Sequence, residues 1–206
     1  MNPQTKINKI ENDWVDIKNK CRVTVNKEHT DIIPNSEFKI KLLISEHSPI
    51  RLLKINWLWS KIKYWVSTHY VRHHQGIEKW VSTQRSDRTN VNRDEISQGA
   101  HVNFEAEANA QSLINMAKVR LCYQASKETR ELFEDLKVTI SKQEFELADV
   151  LVPNCIYRAG CSEFTECGFW SKFKEKYSSA DLLHIETRYK LYNGDFYIRK
   201  LSERSK

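Results

Sequence analysis

Residues 68–74 read THYVRHH and residues 109–120 read NAQSLINMAKVR, and the reading of these two stretches decides the fold. In the second, Ala106, Ala110, Leu113, Met116 and Ala117 fall on one stripe of a helix, while Gln111, Asn115 and Val119 recur every four residues on another. The spacing predicts a helix from about Glu105. Asn109, Gln111 and Asn115 carry carboxamides that both donate and accept, which suits the edge of a planar heterocycle such as a pyrimidine or an isoalloxazine. The plain alternative is the wet face of a surface helix. In the first stretch Trp65, His69 and His73 lie four apart, predicting a helix that runs into the triplet Arg72, His73 and His74. Ser82 follows after seven residues, then Arg85. Two guanidinium forks, imidazoles and a hydroxyl at a helix-to-loop junction make a set of anion donors. A basic surface turn with neutral histidines would look the same in sequence.

Outward from these stretches, RLLKINWLW alternates roughly at period two, is rich in β-branched and aromatic residues, and predicts a strand over 51–59. EFKIKLLISEH reads equally as a short helix or a strand, and Pro49 follows it. Residues 1–35 read as a weakly structured arm, or as a strand and short helix. The stretch 76–103 is polar and reads as a contact-making loop. KETRELFEDLKVTISKQEFELADVL predicts one helical stretch ended by Pro153. In the last ~35 residues a short helix and a hairpin at Asn193-Gly194 are expected.

The 206 residues contain 33 Lys+Arg, 27 Asp+Glu and seven His, for a formal charge of +6. The cations are spread through the chain rather than gathered in one block. They fit either a solvated face or a few cations converging on a phosphorylated small molecule. No apolar run approaches the ~18 residues of a membrane span, so no membrane partner is expected. The opening MNPQTKINKIENDW lacks the apolar core of a signal peptide, so a cytoplasmic location is expected, in a host cell if a virus encodes the chain. Five cysteines then read as reduced thiols. Cys21 and Cys122 stand alone as ordinary buried thiols. Cys155, Cys161 and Cys167 recur at intervals of six, without a CxxC pair or an evident fourth ligand, so no metal is expected, though the trio is the place to look for one.

Taken in order, Arg72-His73-His74-x7-Ser82, then Asn109-x-Gln111-x3-Asn115-x4-Arg120, then QASKETR at 124–130, resemble the flavin-dependent thymidylate synthases. That family carries Arg-His-Arg-x7-Ser, then Asn-x-Arg-Ser-Leu-x-x-Asn-x4-Arg, then an Ala-Gln-x-Glu-Ile-Arg-like stretch. The resemblance covers roughly residues 40–135. It implies an α+β fold with helices around a curved, mostly antiparallel sheet, and a homotetramer with shared active sites. The implied reaction is methylation of dUMP to dTMP, using FAD, with NADPH and methylenetetrahydrofolate as co-substrates.

Carried over by position, His69, Arg72, Ser82, Arg85, Arg93 and Arg120 would bind dUMP. Ser48, Arg72, His73, His74, Asn109, Gln111 and Asn115 would hold FAD. Arg120 would be catalytic, favouring the N3 anion of the uracil ring. The resemblance makes residues 1–150 the catalytic domain and 151–206 a cysteine-containing extension. Several positions depart from the family pattern: His74 and Gln111 replace arginines, His69 replaces a glutamine, Trp80 stands where the family often has Glu, and Arg85 lies one residue late after Ser82. The His74 and Gln111 changes motivate one alternative, a related flavoenzyme making another pyrimidine modification such as hydroxymethylation, and the basic charge balance motivates another, a non-catalytic basic module that binds nucleic acid.

Overall fold

Strict alternation builds the central strand β2 (Lys54–Lys63), where Ile55, Trp57 and Trp59 are fully buried and their neighbours face outward. The phase then slips. Trp59 pairs with Phe104 and Ile62 with Val102, so Ser60 and Lys61 together face Asn103, with Lys61 at φ +57. This bulge returns Ile62 to the core. In the computed structural model, which describes residues 4–204, the strand expected at 51–59 therefore starts at Lys54 and runs to Lys63. Ser48–Leu52 forms a 3-10 turn ahead of it.

Beside β2 lie β1 (Gln4–Glu11) and β4 (His101–Asn109), and β3 (Ile77–Val81) pairs with β4. The order β1-β2-β4-β3 is antiparallel at every step, as the α+β expectation required. Two expectations fail here. Residues 76–103 are not one loop, because they contain β3 and the start of β4. The helix expected from Glu105 starts only at Ala110. HVNFEAEAN is rich in helix formers, yet Val102, Phe104, Ala106 and Ala108 alternate into the core. Its central place in the sheet satisfies the backbone on both sides, which overrides local propensity.

The helices are α1 (Trp14–Val23), α2 (Ser36–Ile44), α3 (Tyr64–Val71), the short α4 (Ser86–Thr89), α5 (Ala110–Arg120), α6 (Lys127–Ile140) and α7 (Phe145–Val150). They continue with α8 (Asn154–Arg158), α9 (Phe169–Lys174), α10 (Ser179–Leu183) and α11 (Ile185–Arg204). The N-terminal segment is thus the strand-and-helix alternative, and EFKIKLLISEH is helical, capped by the Asn35 side chain on the Phe38 N–H. The single helical stretch expected before Pro153 is broken between α6 and α7. There the buried Glu144 carboxylate leaves the helix to accept from Trp14 Nε1 at 2.8 Å and Asn12 Nδ2 at 2.7 Å. Residues 1–3 and 205–206, the outer ends of the two expected domains, lie outside the described residues.

The hairpin expected at Asn193-Gly194 is replaced by the middle of α11. Burial decides this: Asn193 turns inward, donates to Asp149 O at 2.7 Å and accepts from Lys137 Nζ at 2.7 Å. Lys137 is wholly buried and also donates to Ala148 O and Leu151 O, at 2.7 and 2.9 Å. Next to it, Glu134 is 2% exposed and holds Arg199 at 2.9 Å and Lys200 at 2.5 Å. These contacts fasten α11 to α6, and Tyr189, Tyr192 and Phe196 join the same core as Trp57, Trp59, Phe104 and Phe133.

Glu134→Gln should cost about 3 kcal/mol, because it leaves partly buried cations without their carboxylate. Urea unfolding with an unchanged slope and a lowered midpoint is the expected readout.

Candidate functional site

The sheet brings the two chemistry-bearing stretches together from both sides. Helix α5 starts where β4 ends, its first turn fixed by Ala110 N–H to Leu53 O at 2.8 Å. The Asn109 side chain caps the helix by accepting from the Ser112 N–H at 2.9 Å, and the Asn109 N–H donates to Gly76 O at 3.0 Å. Gly76 sits at φ +67, and a Cβ there would lie 2.4 Å from Asn109 Nδ2. Only glycine meets both conditions. Asn109 is therefore first a helix cap, with its amide nitrogen left for other use.

Helix α3 ends before the triplet rather than running into it, and Arg72 is its C-terminal cap. The chain then turns so that His73 faces the far end of α5. Arg120 Nε donates to His73 Nε2 at 2.9 Å, and a terminal Arg120 nitrogen donates to His69 O at 2.6 Å. The guanidinium also lies 5.7 Å from the Tyr70 ring centroid. Tyr70 is itself fixed by its hydroxyl to Thr129 O at 2.7 Å. An imidazole that accepts at Nε2 is neutral and carries its proton at Nδ1. Burial first, then the charges of Arg120, Lys79 and His74, push His73 down to about 4. His69 is lowered for like reasons, by burial and then by Arg120 and Arg72. Arg120 itself is lowered, chiefly by burial, yet a guanidinium so placed remains a cation at neutral pH. The result is a half-buried cation held in one orientation by a neutral imidazole and a carbonyl.

A groove of about 260 Å³ opens at the other end of α5, lined by Arg51, Gln75, Gly76, Asn109, Gln111 and Asn115. Three of the carboxamides nominated from sequence are thus brought together. Gln111 is partly committed, since Nε2 donates to Glu46, which also holds Lys118 at 2.6 Å. Ser48 and His74 are exposed at its margins in sequence, Ser48 opening the 3-10 turn that carries Arg51. Sequence reasoning missed Arg51, Gln75, Gly76 and Glu46. Arg51 was open to discovery, three residues beyond Ser48, but Glu46 was not, since its role arises only from tertiary contact.

The remaining nominated residues lie elsewhere. Ser82 closes the β3–β4 ladder, its hydroxyl accepting from the Asn103 N–H at 3.0 Å. Arg85 is exposed and paired fork-to-fork with Asp87 at 2.9 and 2.8 Å. Arg93 is exposed in the 3-10 turn Arg93–Glu95. Between Gly76 and Ser82 runs all of β3, a span of about 20 Å at ~3.3 Å per residue. One chain does not join this cluster to the groove. Cys155, Cys161 and Cys167 lie beyond both, on the segment from α8 to α9.

No protein-family sequence model matches this chain, and no curated protein does. Solved structures do. A UMP/dUMP methylase, PolB, from Streptomyces cacaoi, bound with 5-Br dUMP, aligns with a TM-score of 0.58 at 11% identity, over 72% of this chain and 94% of that one. The flavin-dependent thymidylate synthase ThyX from Helicobacter pylori, complexed with FAD and dUMP, aligns at 0.58 and 12% identity, over 72% of this chain and 99% of the other. A further structure of that enzyme with FAD and dUMP aligns at 0.57 and 13% identity. The chain has the fold of these enzymes. At such identities the likeness concerns the path of the backbone and carries no residue's role.

Two outcomes follow from this geometry. A histidine whose folded value lies below its unfolded one contributes stability above about pH 6.5 that is lost as pH falls through about 4, because the unfolded chain takes up the proton first. An NMR titration should give His73 an apparent pKa near 4, and His73→Gln should flatten the loss of stability over that window. Gly76→Ala should destabilise by about 1–3 kcal/mol, read in urea, since the new methyl meets both a strained φ and the Asn109 amide.

Proposed function

We propose that this chain is a flavin-dependent pyrimidine-nucleotide methylase that converts dUMP to dTMP, with methylenetetrahydrofolate as one-carbon donor and NADPH as reductant. The observation that carries this reading is the Arg120–His73 contact. It joins the two separately recognised motifs at one point, in a fold shared with a UMP/dUMP methylase and a flavin-dependent thymidylate synthase.

The groove at the start of α5 fits one part of FAD. It offers the Arg51 cation and the carboxamides of Asn109, Gln111 and Asn115 around a backbone position that has no Cβ. Its volume lies below the ~300–1,000 Å³ of a complete small-molecule site, so a second surface must close it. His73, His74, Arg72 and Ser48 would border the same cofactor. When bound, FAD would supply the reducing chemistry and so remove the need for a cysteine nucleophile. Arg120 would place a fixed positive charge against the uracil ring, stabilising the N3 anion and raising the nucleophilicity of C5. His69 and Arg72 would line the same ring. Neutral His73 orients Arg120 without competing for an anion.

Ser82, Arg85 and Arg93 would bind the dUMP phosphate, with Arg85 exchanging Asp87 for phosphate. Because they stand a whole strand away from the groove, a complete site would draw them from a second copy, in a homotetramer with shared sites. Residues 1–150 would form the catalytic domain and 151–206 an extension packed against it, working in the cytoplasm, in a host cell if virus-encoded. Among the described residues no helix is long and apolar enough to cross a membrane. The engagement of Gln111 with Glu46, where the resembled family has an arginine, favours one second reading: a related flavoenzyme with a different one-carbon product, such as a hydroxymethylated pyrimidine.

The purified protein should take up FAD, show a flavin spectrum that shifts with dUMP, and form dTMP by mass. A chain that takes up no flavin refutes the proposal, and a hydroxymethyl product selects the second reading. Arg120→Ala should lower turnover by at least about 100-fold with a smaller loss of dUMP affinity, as expected for a group acting in the transition state. Mixing inactive Arg120→Ala and Ser82→Ala chains should restore part of the activity if sites are shared, and none if each chain is complete.

A further inference from the structure

The sequence shows three evenly spaced cysteines and no fourth ligand; the fold brings a fourth cysteine to the same pocket. Cys122, in the loop between α5 and α6, lines the same small pocket as Cys155, Cys161 and Cys167. The four come from separate places: the α5–α6 loop, the first turn of α8, the turn that follows it, and the residue before Gly168 at the start of α9. Their thiols are electrostatic neighbours. Burial and then the charges of Cys122, Cys167 and Cys161 push Cys155 up to about 12, and Cys167 and Glu163 act in the same direction on Cys122, after burial. The fifth cysteine, Cys21 on α1, is absent from the cavity wall.

The loops around the cavity are already cross-tied. Gln124 Nε2 donates to Thr165 O at 2.6 Å, joining the Cys122 loop to the one that carries Cys161 and Cys167. Asn154 Nδ2 donates to Ser162 Oγ at 2.5 Å. Ala159 at φ +55 and Gly168 at φ +78 make the sharp turns that fold Cys161 and Cys167 back toward Cys155. The open space inside is about 10 Å³, near the size of one water-sized sphere. No group of three or more His, Cys, Asp or Glu side chains among the described residues is already set to hold a metal. Closing four sulfurs on one ion therefore requires the cysteine side chains to move from these positions.

We propose that Cys122, Cys155, Cys161 and Cys167 form a structural tetrathiolate zinc site that ties the C-terminal segment to the end of helix α5. Four sulfurs match the closed, tetrahedral form of structural zinc, with sulfurs at ~2.3 Å from the metal. On binding, each thiol loses its proton to solvent or a neighbouring base, and Glu163 stands 3.7 Å from Cys122 Sγ to receive one. No oxidation state changes. Since Cys122 is two residues after Arg120, the metal would hold the C-terminal end of α5 and with it the orientation of that guanidinium.

The test is elemental analysis of the full chain purified with reducing agent and without chelator, expecting about one zinc per chain. The cobalt-substituted protein should show intense sulfur-to-cobalt charge transfer and tetrahedral ligand-field bands. Cys122→Ser, Cys155→Ser, Cys161→Ser and Cys167→Ser should each lower zinc content sharply, and Cys21→Ser should leave it unchanged. Should those variants fail to fold, the metal content and cobalt spectrum of the unaltered chain decide the matter alone. Four outcomes would overturn the proposal: metal below about a tenth of the chain concentration with every thiol reacting freely, a mass lower by the hydrogens of two disulfides, visible iron–sulfur absorption, or full zinc retained by Cys122→Ser.

Discussion

β2 and β4 pair antiparallel from Lys54 opposite Asn109 to Lys63 opposite His101, and this ladder sets where both chemistry-bearing helices start. Helix α3 leaves β2 immediately at Tyr64, and α5 leaves β4 immediately at Ala110. With no linker at either junction, the register of the strands fixes the relative placement of His69, His73 and Arg120. The bulge at Ser60–Lys61 matters for the same reason. Without the extra residue, the phase of β2 would reverse, and α3 would leave the sheet from the wrong face.

The candidate site uses burial to separate the states of like groups. Arg120 keeps a positive charge while His73, in contact with it, is held neutral. Two cations 2.9 Å apart in a half-buried setting would repel strongly, and the imidazole is the partner that yields because its ordinary value is already low. The surrounding carbonyls of Val71 and His73 are in turn occupied by Lys79, which adds to the pressure against protonating the imidazole.

Legibility from sequence followed the distinction between local and tertiary causes. Trp57 and Trp59 announced β2 through rough alternation, and the order and spacing of the two motifs marked both stretches as chemistry-bearing, but the contact between His73 and Arg120 was not among the expectations. β4 was misread because Phe104–Ala108 combines helix-forming residues with an equally good alternation, and only its central place in the sheet chooses between them. Asn193-Gly194 carries a strong turn signal that fails because a buried ammonium lies within reach of the Asn193 amide. Cys122 read as solitary since its neighbours come more than thirty residues later in the chain. Nothing local marks such a meeting.

The buried Lys137 has a further consequence for how α11 is seated. Its ammonium donates to two backbone carbonyls that close α7 and to one carboxamide, that of Asn193, a set that uses its three protons. The residues four before and four after Asn193 are Tyr189 and Tyr197. A slide of α11 by one turn would keep aromatic surface against aromatic surface and cost little in apolar packing. It would, however, carry the Asn193 carboxamide about 5.4 Å along the helix axis and break its paired contacts to Lys137 and Asp149 O. The lysine thus acts as a detent, adding to the Glu134 pairs with Arg199 and Lys200 in giving this helix a single resting position.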